Sequence, residues 1–332
     1  MSRAISYLGL LIGLLILSLL IIWQGVGEIF GLLLDSGFLL LLIPIGWIPG
    51  YFPAVLSWRL LFPLDAIPSF KKLLLAIWVG RAINTLLPVA TIGGEIAKAR
   101  LMILWGEQPI IASASVMVDK TVQALAIIPW ALIGAAILYY LDIDNKLAFF
   151  VLLGTILLCL CITGFVLIQK AGMFGFVAKT ISKFTASEGW EKITLNAHDV
   201  DTHIKAIYHD KKRFFTSIAW RTFGLILQTA EVWLACYLLG NPISMIEALM
   251  LRSLISIITD IAFMIPNGYG IQEGGFIMLG TLIGLTPEFS LAVSLATRIR
   301  DFVIDLPGLL YWHQIEAKHL LRKNNPALQE TI

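Results

Sequence analysis

Long apolar stretches separated by short polar connections cover most of the chain. They lie at 5–23, 37–61, 73–90, 109–141, 146–169, 215–239, 243–265, 271–285 and 288–312. An apolar stretch of about 20 residues, at about 1.5 Å per residue, is long enough for a helix to cross the apolar core of a membrane. The pattern therefore predicts an all-α polytopic integral membrane protein with about eight full spans.

The composition agrees with this prediction and excludes a soluble cytoplasmic enzyme. Of the 332 residues, 58% are hydrophobic and 14% are charged, whereas a soluble domain carries roughly 25% charged residues. The formal net charge of +2 provides no basic field of the kind that attracts nucleic acids. We therefore expect no nucleic-acid partner.

The motifs of common enzyme and metal sites are missing from the sequence. Cys159, Cys161 and Cys236 all lie in apolar stretches, without the spacing of a disulfide framework or a zinc site. There is no nucleophile elbow, no P-loop and no dinucleotide fingerprint. We therefore expect no catalytic residue, no metal site and no cofactor.

Basic residues are concentrated in the stretch 170–214, the pair Lys71-Lys72, the residues Lys98 and Arg100, and the segment 318–323. The positive-inside rule places such segments on the cytoplasmic side. The connections 24–36 and 142–145 carry acidic residues and no basic ones, which favours the outer side. These assignments predict a multi-pass protein of the inner (plasma) membrane with cytoplasmic N- and C-termini, in which the first apolar stretch is a retained helix.

The charge pattern alternates across the membrane only if 73–90 and 93–105 together return to the side from which they start. Either two short crossings or a V-shaped re-entrant hairpin satisfies this condition. The second segment is too short for a full span and contains charged residues. We favour a re-entrant hairpin with its tip between Pro88 and Gly94, and a second hairpin at 251–284.

An internal duplication becomes visible when the sequence is shifted by 178 positions. Prolines then fall on prolines and a glutamate falls on a glutamate, without any gap. The matched pairs are Pro88 with Pro266, Glu95 with Glu273, Pro109 with Pro287, and Pro129 with Pro307. The stretch 37–61 and its copy 215–239 are predicted to run in opposite directions. We therefore expect two inverted repeats, an architecture of many transporters.

These boundaries divide the chain into five predicted parts. Residues 1–35 form a first transmembrane helix and an outer loop, and residues 36–145 form membrane repeat 1. Residues 146–213 form a linking helix and a cytoplasmic polar loop. Membrane repeat 2 follows at 214–323, and a tail at 324–332.

The tip of the first hairpin has the residues of a helix that is broken at membrane depth. Pro88 ends one helix because it lacks an N–H and clashes with the preceding turn, and Gly93 and Gly94 open the next. The free N–H groups at a helix start attract anionic groups such as a lipid phosphate. Glu95 would then contact or gate a lipid headgroup; alternatively, it caps its own helix.

The second hairpin and the last long segment repeat this chemistry. Asn267 lies in a glycine-rich stretch before Glu273, and irregular backbone at membrane depth is tolerated only where protein or a water-filled cavity covers it. Arg298, Asp301 and Asp305 have the spacing of one helix face. An arginine at this place either binds a phosphate bidentately or forms a structural ion pair within the bundle.

Two further charged residues complete the candidate site. Lys120 is the counterpart of Arg298 at the 178-residue offset, and Arg81 lies about one helical turn from Asn84. The full set of candidate residues for substrate binding or translocation is Arg81, Asn84, Pro88, Gly93, Gly94, Glu95, Lys120, Asn267, Glu273, Arg298 and Asp301.

The segment Asn84-Thr85-Leu86-Leu87-Pro88, followed by Gly93-Gly94-Glu95 and by a second proline–glutamate block at 266–273, resembles a known family. It is similar to the transmembrane, flippase-like region of lysylphosphatidylglycerol synthases, which also occurs as stand-alone proteins. The resemblance implies lipid translocation. In full-length members a cytosolic aminoacyl-transferase domain makes the lipid, and we expect this chain to lack that domain. The segment from Leu87 to Glu95 also resembles the branch associated with hopanoids.

The function that we expect is therefore movement of a lipid across, or out of, the inner membrane. The resemblance implies an anionic or aminoacylated phospholipid, or a hopanoid, as the substrate. Two other functions remain open. One is a membrane-embedded lipid transferase, and the other is a non-catalytic partner that docks a lipid-synthesis enzyme through the loop 170–214.

Overall fold

In the computed structural model the described residues are 11, 15–16, 18–23, 26–87, 93–141, 145–172, 189–261 and 265–324. They form helices and short connections, with no strand in these ranges. The predicted all-α class is thereby confirmed.

Besides the helical residues at 18–23, the first half of the chain contains six α-helices and two 3-10 segments within the described ranges. Helix α1 spans Val26–Ser36 and continues through 3-10 segments at Gly37–Gly46 and Ile48–Gly50 into α2, Tyr51–Arg59. The following helices are α3 at Phe70–Leu86, α4 at Gly93–Leu104, α5 at Pro109–Tyr140 and α6 at Asn145–Lys170.

The second half contains seven more α-helices within the described ranges. They are α7 at Gly189–His209, α8 at Lys211–Leu227, α9 at Thr229–Leu238, α10 at Met245–Ile261, α11 at Ile271–Leu282, α12 at Pro287–Thr297 and α13 at Leu306–Asn324. A 3-10 turn at Pro266–Gly268 precedes α11, and a π-helical turn at Asp301–Asp305 separates α12 from α13.

Three helical segments of the described chain are long and apolar enough to cross a membrane. They are Gly31–Arg59, Pro109–Tyr140 and Phe149–Lys170. These segments differ in burial. In an apolar stretch of 18 residues, 44% is buried inside the protein in α5 but only 11% in α6. Helix α5 therefore lies in the centre of the bundle, whereas α6 has the exposed apolar surface expected of a lipid-facing helix.

The remaining spans stay predictions. The first apolar stretch, 5–23, lies largely outside the described residues. Helix α4 has 12 residues, which corresponds to about 18 Å and is shorter than a full span of about 30 Å. The count of about eight spans, the re-entrant form of the hairpins and the five-part division of the chain likewise stay predictions.

Helices α3 and α4 approach each other very closely near the predicted hairpin tip. A Cβ atom placed on Gly94 would overlap the carbonyl oxygen of Gly80 and lie 2.6 Å from Asn84 Nδ2. Only a glycine fits at this position, so Gly94 permits contact between the two helices as well as a helix start. Pro88, together with 89–92, lies outside the described residues.

The helix boundaries of the two halves match at the 178-residue offset. Helices α4 and α11 both contain 12 residues and start at equivalent positions. Each is followed by a glycine with positive φ, Gly106 at 94° and Gly284 at 84°, which is the usual end of a helix. Each next helix begins with a proline, Pro109 or Pro287, as is common at the first helical position. The inverted relation between the halves remains a prediction.

Candidate functional site

Helices α4 and α5 bring four ionisable side chains of the first half together. Lys98 donates a hydrogen bond to Glu95 Oε2 at 2.9 Å and another to Asp119 Oδ2. The side chain of Lys120 reaches the other oxygen of Glu95 at 3.6 Å. Lys98 is only 4% exposed and Asp119 is fully buried. We call Glu95, Lys98, Asp119 and Lys120 the first cluster.

The backbone at the start of α4 is held by Asn84. Its Oδ1 accepts a hydrogen bond from the N–H of Gly94 at 2.8 Å, so Asn84 joins the two arms of the first hairpin. Both oxygens of Glu95 meanwhile face lysines. Gly93 is the first residue of α4. The two lysines contact both oxygens of Glu95. Residue 92, whose backbone N–H a cap from Glu95 would satisfy, lies outside the described residues, so the capping role stays a prediction.

The second cluster has a different internal arrangement. Glu273 Oε2 accepts a hydrogen bond from the backbone N–H of Gly270 at 2.7 Å, three residues earlier. Its Oε1 accepts a hydrogen bond from Arg298 Nε at 2.6 Å. Glu273 is completely buried. The capping role considered for Glu95 is therefore found at its counterpart Glu273, in addition to a buried ion pair.

Asn267 connects the loop before α11 to the last segment. Its φ of 54° is the only positive one among the described non-glycine residues, and asparagine tolerates this region better than most residues. Its Nδ2 donates a hydrogen bond to Asp301 Oδ2 at 2.8 Å, and its carbonyl accepts one from Arg298 at 3.3 Å. The Arg298 guanidinium also lies 4.4 Å from the centre of the Tyr269 ring. We call Asn267, Glu273, Arg298 and Asp301 the second cluster.

The predicted shared helix face of Arg298, Asp301 and Asp305 is wrong. Helix α12 ends at Thr297, and Asp301–Asp305 form a π-helical turn, which changes the angular spacing that a regular α-helix would give. Arg298 and Asp301 both face the Asn267 loop. Asp305 instead accepts two hydrogen bonds from Arg81 of α3, both at 3.0 Å.

Three arginines surround one tryptophan between the two halves. The guanidinium carbons of Arg81, Arg252 and Arg300 lie 4.4, 4.8 and 4.0 Å from the centre of the Trp47 ring. Trp47 itself is 6% exposed. Each contact is within the range of a cation–π interaction. We call these four residues the tryptophan cage.

The arginines of the tryptophan cage differ in their acidic partners. Arg81 pairs with Asp305, and Arg300 pairs with Glu231. Arg252 has no carboxylate within 4.0 Å in the described chain, and its buried Nε has no hydrogen-bond partner there. Glu231 Oε1 is likewise buried without a partner among these residues. Among the described residues, Arg252 is therefore the guanidinium of the cage that has no carboxylate partner.

Sequence reasoning placed Lys98 with Arg100 among cytoplasmic basic residues, and the structure separates the two. Lys98 is buried in the first cluster, whereas the Arg100 side chain is 48% exposed. Arg100 Nη2 donates a hydrogen bond to Glu316 Oε2 of α13 at 2.7 Å. This bond lowers the pKa of Glu316, which lies outside the three candidate spans. The Arg100–Glu316 pair is therefore a surface contact between two helices.

Metal-binding geometry does not occur in the ranges that the structure describes. No group of three or more His, Cys, Asp or Glu side chains is arranged to hold an ion there. The charged residues of the two clusters pair with one another instead.

Comparison with known proteins gives a family match over most of the chain. The family model described as "Lysylphosphatidylglycerol synthase TM region" matches residues 10–308. A UPF0104 membrane protein of Pyrococcus horikoshii is 24% identical over 331 residues, and the match covers 92% of this chain and 95% of that protein. No solved structure matches the chain significantly.

Proposed function

Because the chain belongs to the family of lysylphosphatidylglycerol synthase transmembrane regions, we propose that it moves a lipid between the leaflets of the inner (plasma) membrane, or out of it. The family suggests a membrane protein of lipid metabolism or transport. The proposal of lipid movement rests on one observation, the pair of buried ionic clusters. They contain Glu95 and Glu273 at equivalent positions of the two halves.

Buried charges at membrane depth are costly, so their retention favours a transport role. An insertion scale gives about 2.5–3.5 kcal/mol for one charged residue at the centre of a membrane helix. Lys98, Asp119, Glu273 and Arg298 are all at most 8% exposed. Stability alone does not require such groups, because buried ion pairs are often replaced by apolar residues without loss. A site for a charged headgroup gives them a function.

The proposed architecture is two inverted repeats that alternate in their access to the two sides. Contacts between the halves support it, because they occur in exchanged pairs at the 178-residue offset. Trp130 Nε1 donates a hydrogen bond to Ser256 Oγ at 2.8 Å. The exchanged pair, Gly308 and Trp78, is also in contact, since a Cβ on Gly308 would lie 3.0 Å from Trp78 Nε1. Such an exchange is the pattern that a twofold relation produces.

A phospholipid fits the charged residues better than a hopanoid does. The tryptophan cage presents Arg252 without a carboxylate partner among the described residues, and a phosphate is the usual ligand of such a guanidinium. Glu231 Oε1 has no hydrogen-bond partner among the described residues, and we propose that it accepts a hydrogen bond from a headgroup hydroxyl or ammonium. A hopanoid has no obligatory phosphate, and its carrier would favour an apolar site. We therefore place the phosphate in the cage and the tails in the bilayer.

Purified protein in liposomes tests this function. A fluorescent anionic phospholipid, an aminoacylated phospholipid and a hopanoid are each placed in one leaflet, and their appearance in the other leaflet is followed. We expect movement of at least one phospholipid, loss of that movement in Glu95→Ala, and normal movement in the surface variant Glu316→Gln. Absence of movement of all three lipids with folded protein would contradict the proposal.

We propose a translocator and not an enzyme. A membrane-embedded transferase would instead produce a new lipid in membranes that contain this chain alone, and lipid mass spectrometry detects such a product. A docking partner of a lipid-synthesis enzyme would co-purify with that enzyme only while the loop 170–214 is present. Either result, combined with no lipid movement, would replace translocation with the corresponding alternative.

A further inference from the structure

The two ionic clusters differ in residues that bind and release protons. At the 178-residue offset three positions change their chemistry. The pairs are Lys98 with Phe276, Asp119 with Thr297, and Lys120 with Arg298. The first cluster therefore contains two carboxylates and two lysines, whereas one carboxylate and one guanidinium occupy the equivalent positions of the second half.

One ammonium group joins both carboxylates of the first cluster. Lys98 Nζ contacts Glu95 and Asp119 at the same time, and it lies 4.6 Å from the centre of the Trp58 ring. Asp119 Oδ2 also accepts a hydrogen bond from Gln123 at 2.9 Å. Asp119 Oδ1 is fully buried and has no hydrogen-bond partner in the described part of the chain. This oxygen is a place where a proton can be held.

A chain of contacts connects the Asp119 carboxylate, through its other oxygen Oδ2, with the protein surface. It runs from Asp119 through Lys98 to Glu95, and from Glu95 to Lys120 at 3.6 Å. The side-chain exposure rises along it from 0% at Asp119 to 13% at Glu95 and 44% at Lys120. Chains of acidic and basic groups of this kind form proton relays in membrane pumps and transporters.

The other charged groups around the cluster come from two further helices. Arg221 of α8 acts electrostatically on Asp119, and Asp260 of α10 acts on Lys120. Helix α2 contributes Trp58 and helix α3 contributes Asn84, neither of which titrates near neutral pH. Arg221 and Asp260 are therefore charged neighbours of the first cluster that come from outside it.

We propose that the first cluster binds one proton and couples its passage to lipid movement, an inference that rests on the proposed translocation. Binding of a proton at Asp119 neutralises that carboxylate, and Lys98 then remains paired with Glu95 alone. The cluster changes from a net charge of zero to +1. Release of the same proton restores the shared contact of Lys98 with both acids.

Glu273 and Arg298, the counterparts of Glu95 and Lys120, form no such exchange in the described structure. Asp301, the other carboxylate of the second cluster, accepts a hydrogen bond from Asn267 and lies 4.0 Å from Arg298. Arg298 keeps its charge in proteins because its guanidinium does not release a proton. Glu273 is held on both oxygens, by Gly270 and by Arg298. Its protonation would break a cap and a buried ion pair together. The first half therefore carries the proton, and the second half provides a fixed charged site.

Liposomes of phosphatidylcholine that contain a labelled anionic phospholipid test this coupling. The membrane potential is clamped with potassium and valinomycin, and a pH gradient is imposed. With the unmutated protein, we expect the gradient to drive the labelled lipid away from an equal distribution between leaflets. We also expect an imposed lipid gradient to change the internal pH, which an encapsulated pH-sensitive dye reports.

Variants locate the proton. Asp119→Asn is expected to lose the gradient-driven redistribution, and Glu316→Gln is expected to keep it. Glu95→Gln, in which Lys98 retains Asp119 as a partner, serves as the second variant if Asp119→Asn fails to fold, and it is also expected to lose the response. Gradient-driven redistribution that survives in both cluster variants would overturn the assignment.

The outcome separates coupling from translocation. The labelled lipid could exchange between leaflets while a pH gradient fails to redistribute it and a lipid gradient fails to change the internal pH. In that case the coupling is wrong and translocation stands. If no lipid moves under any condition, translocation fails and the coupling fails with it. The internal-pH measurement uses the unmutated protein, so it does not depend on the folding of any variant.

Discussion

Arg81 donates hydrogen bonds from Nε and Nη2 to the two oxygens of Asp305, both at 3.0 Å. This bidentate pair joins helix α3 of the first half to the π-helical turn of the second half. Asp305 is completely buried, and Arg81 also lies against Trp47. The pair therefore connects the first hairpin with the tryptophan cage.

Loss of one partner of this pair is expected to destabilise the protein more than loss of both. Asp305→Asn leaves Arg81 without a counter-charge and should lower the stability by roughly 3–5 kcal/mol. The double variant Arg81→Met with Asp305→Asn removes the uncompensated charge and should recover a large part of that loss. Thermal unfolding in detergent measures both. A double variant that is less stable than the single one would contradict this explanation.

Gly94→Ala is expected to separate helices α3 and α4. The added methyl group would overlap the carbonyl oxygen of Gly80 and lie 2.6 Å from Asn84 Nδ2, so the backbone must move at a cost of about 1–3 kcal/mol. The matched control is Gly274→Ala in α11, where a Cβ meets nothing within 4 Å. That substitution should be neutral or stabilise by about 0.4–1 kcal/mol. Equal melting temperatures for the two variants would disprove the close approach.

Arg252→Gln is expected to slow phospholipid movement because it removes the proposed phosphate ligand from the tryptophan cage. One charge-assisted hydrogen bond contributes about 1.5–3 kcal/mol, which corresponds to about tenfold or more in rate or affinity. Arg100→Gln removes an exposed arginine that pairs with Glu316 and serves as the control. Initial rates at several lipid concentrations check the prediction. Equal rates for the two variants would remove Arg252 from the site.

The two glutamates at equivalent positions are expected to respond differently to substitution. Glu273→Gln weakens the Gly270 cap and leaves Arg298 with only the more distant Asp301, at 4.0 Å, as a charged partner, so we expect a loss of roughly 3 kcal/mol in stability. In Glu95→Gln, Lys98 keeps its contact with Asp119, and the protein should remain folded while lipid movement falls. Melting curves and transport rates of both variants test this contrast. A Glu95→Gln variant that is the less stable of the two would contradict it.

The helix boundaries near the clusters could be predicted because single residues determine them. Gly93 and Gly94 stand at the start of α4, and Pro109 and Pro287 stand at the first positions of α5 and α12. Glycine and proline restrict the backbone locally, so a sequence pattern is sufficient to place them. The resemblance to the family rested partly on Gly93 and Gly94 and is confirmed by the match over 10–308.

The tryptophan cage could not be predicted in the same way. Trp47 lies in an apolar stretch, and its contacts with Arg252 and Arg300 depend on how distant helices pack. No local periodicity encodes such a contact. The separation of Asp305 from Arg298 was also missed, because a π-helical turn changes the angles that regular helical spacing assumes. The intramembrane charges were visible in the sequence, but their partners were not.

The most direct test of lipid translocation compares liposomes with and without the protein at identical lipid composition. A fluorescent anionic phospholipid is incorporated into both leaflets, and a membrane-impermeant quencher is added outside. Translocation predicts that quenching proceeds beyond the outer-leaflet share to nearly the whole labelled pool, and that Glu95→Ala stops it at the outer-leaflet share. Quenching that stops at the outer-leaflet share with folded, unmutated protein would contradict translocation.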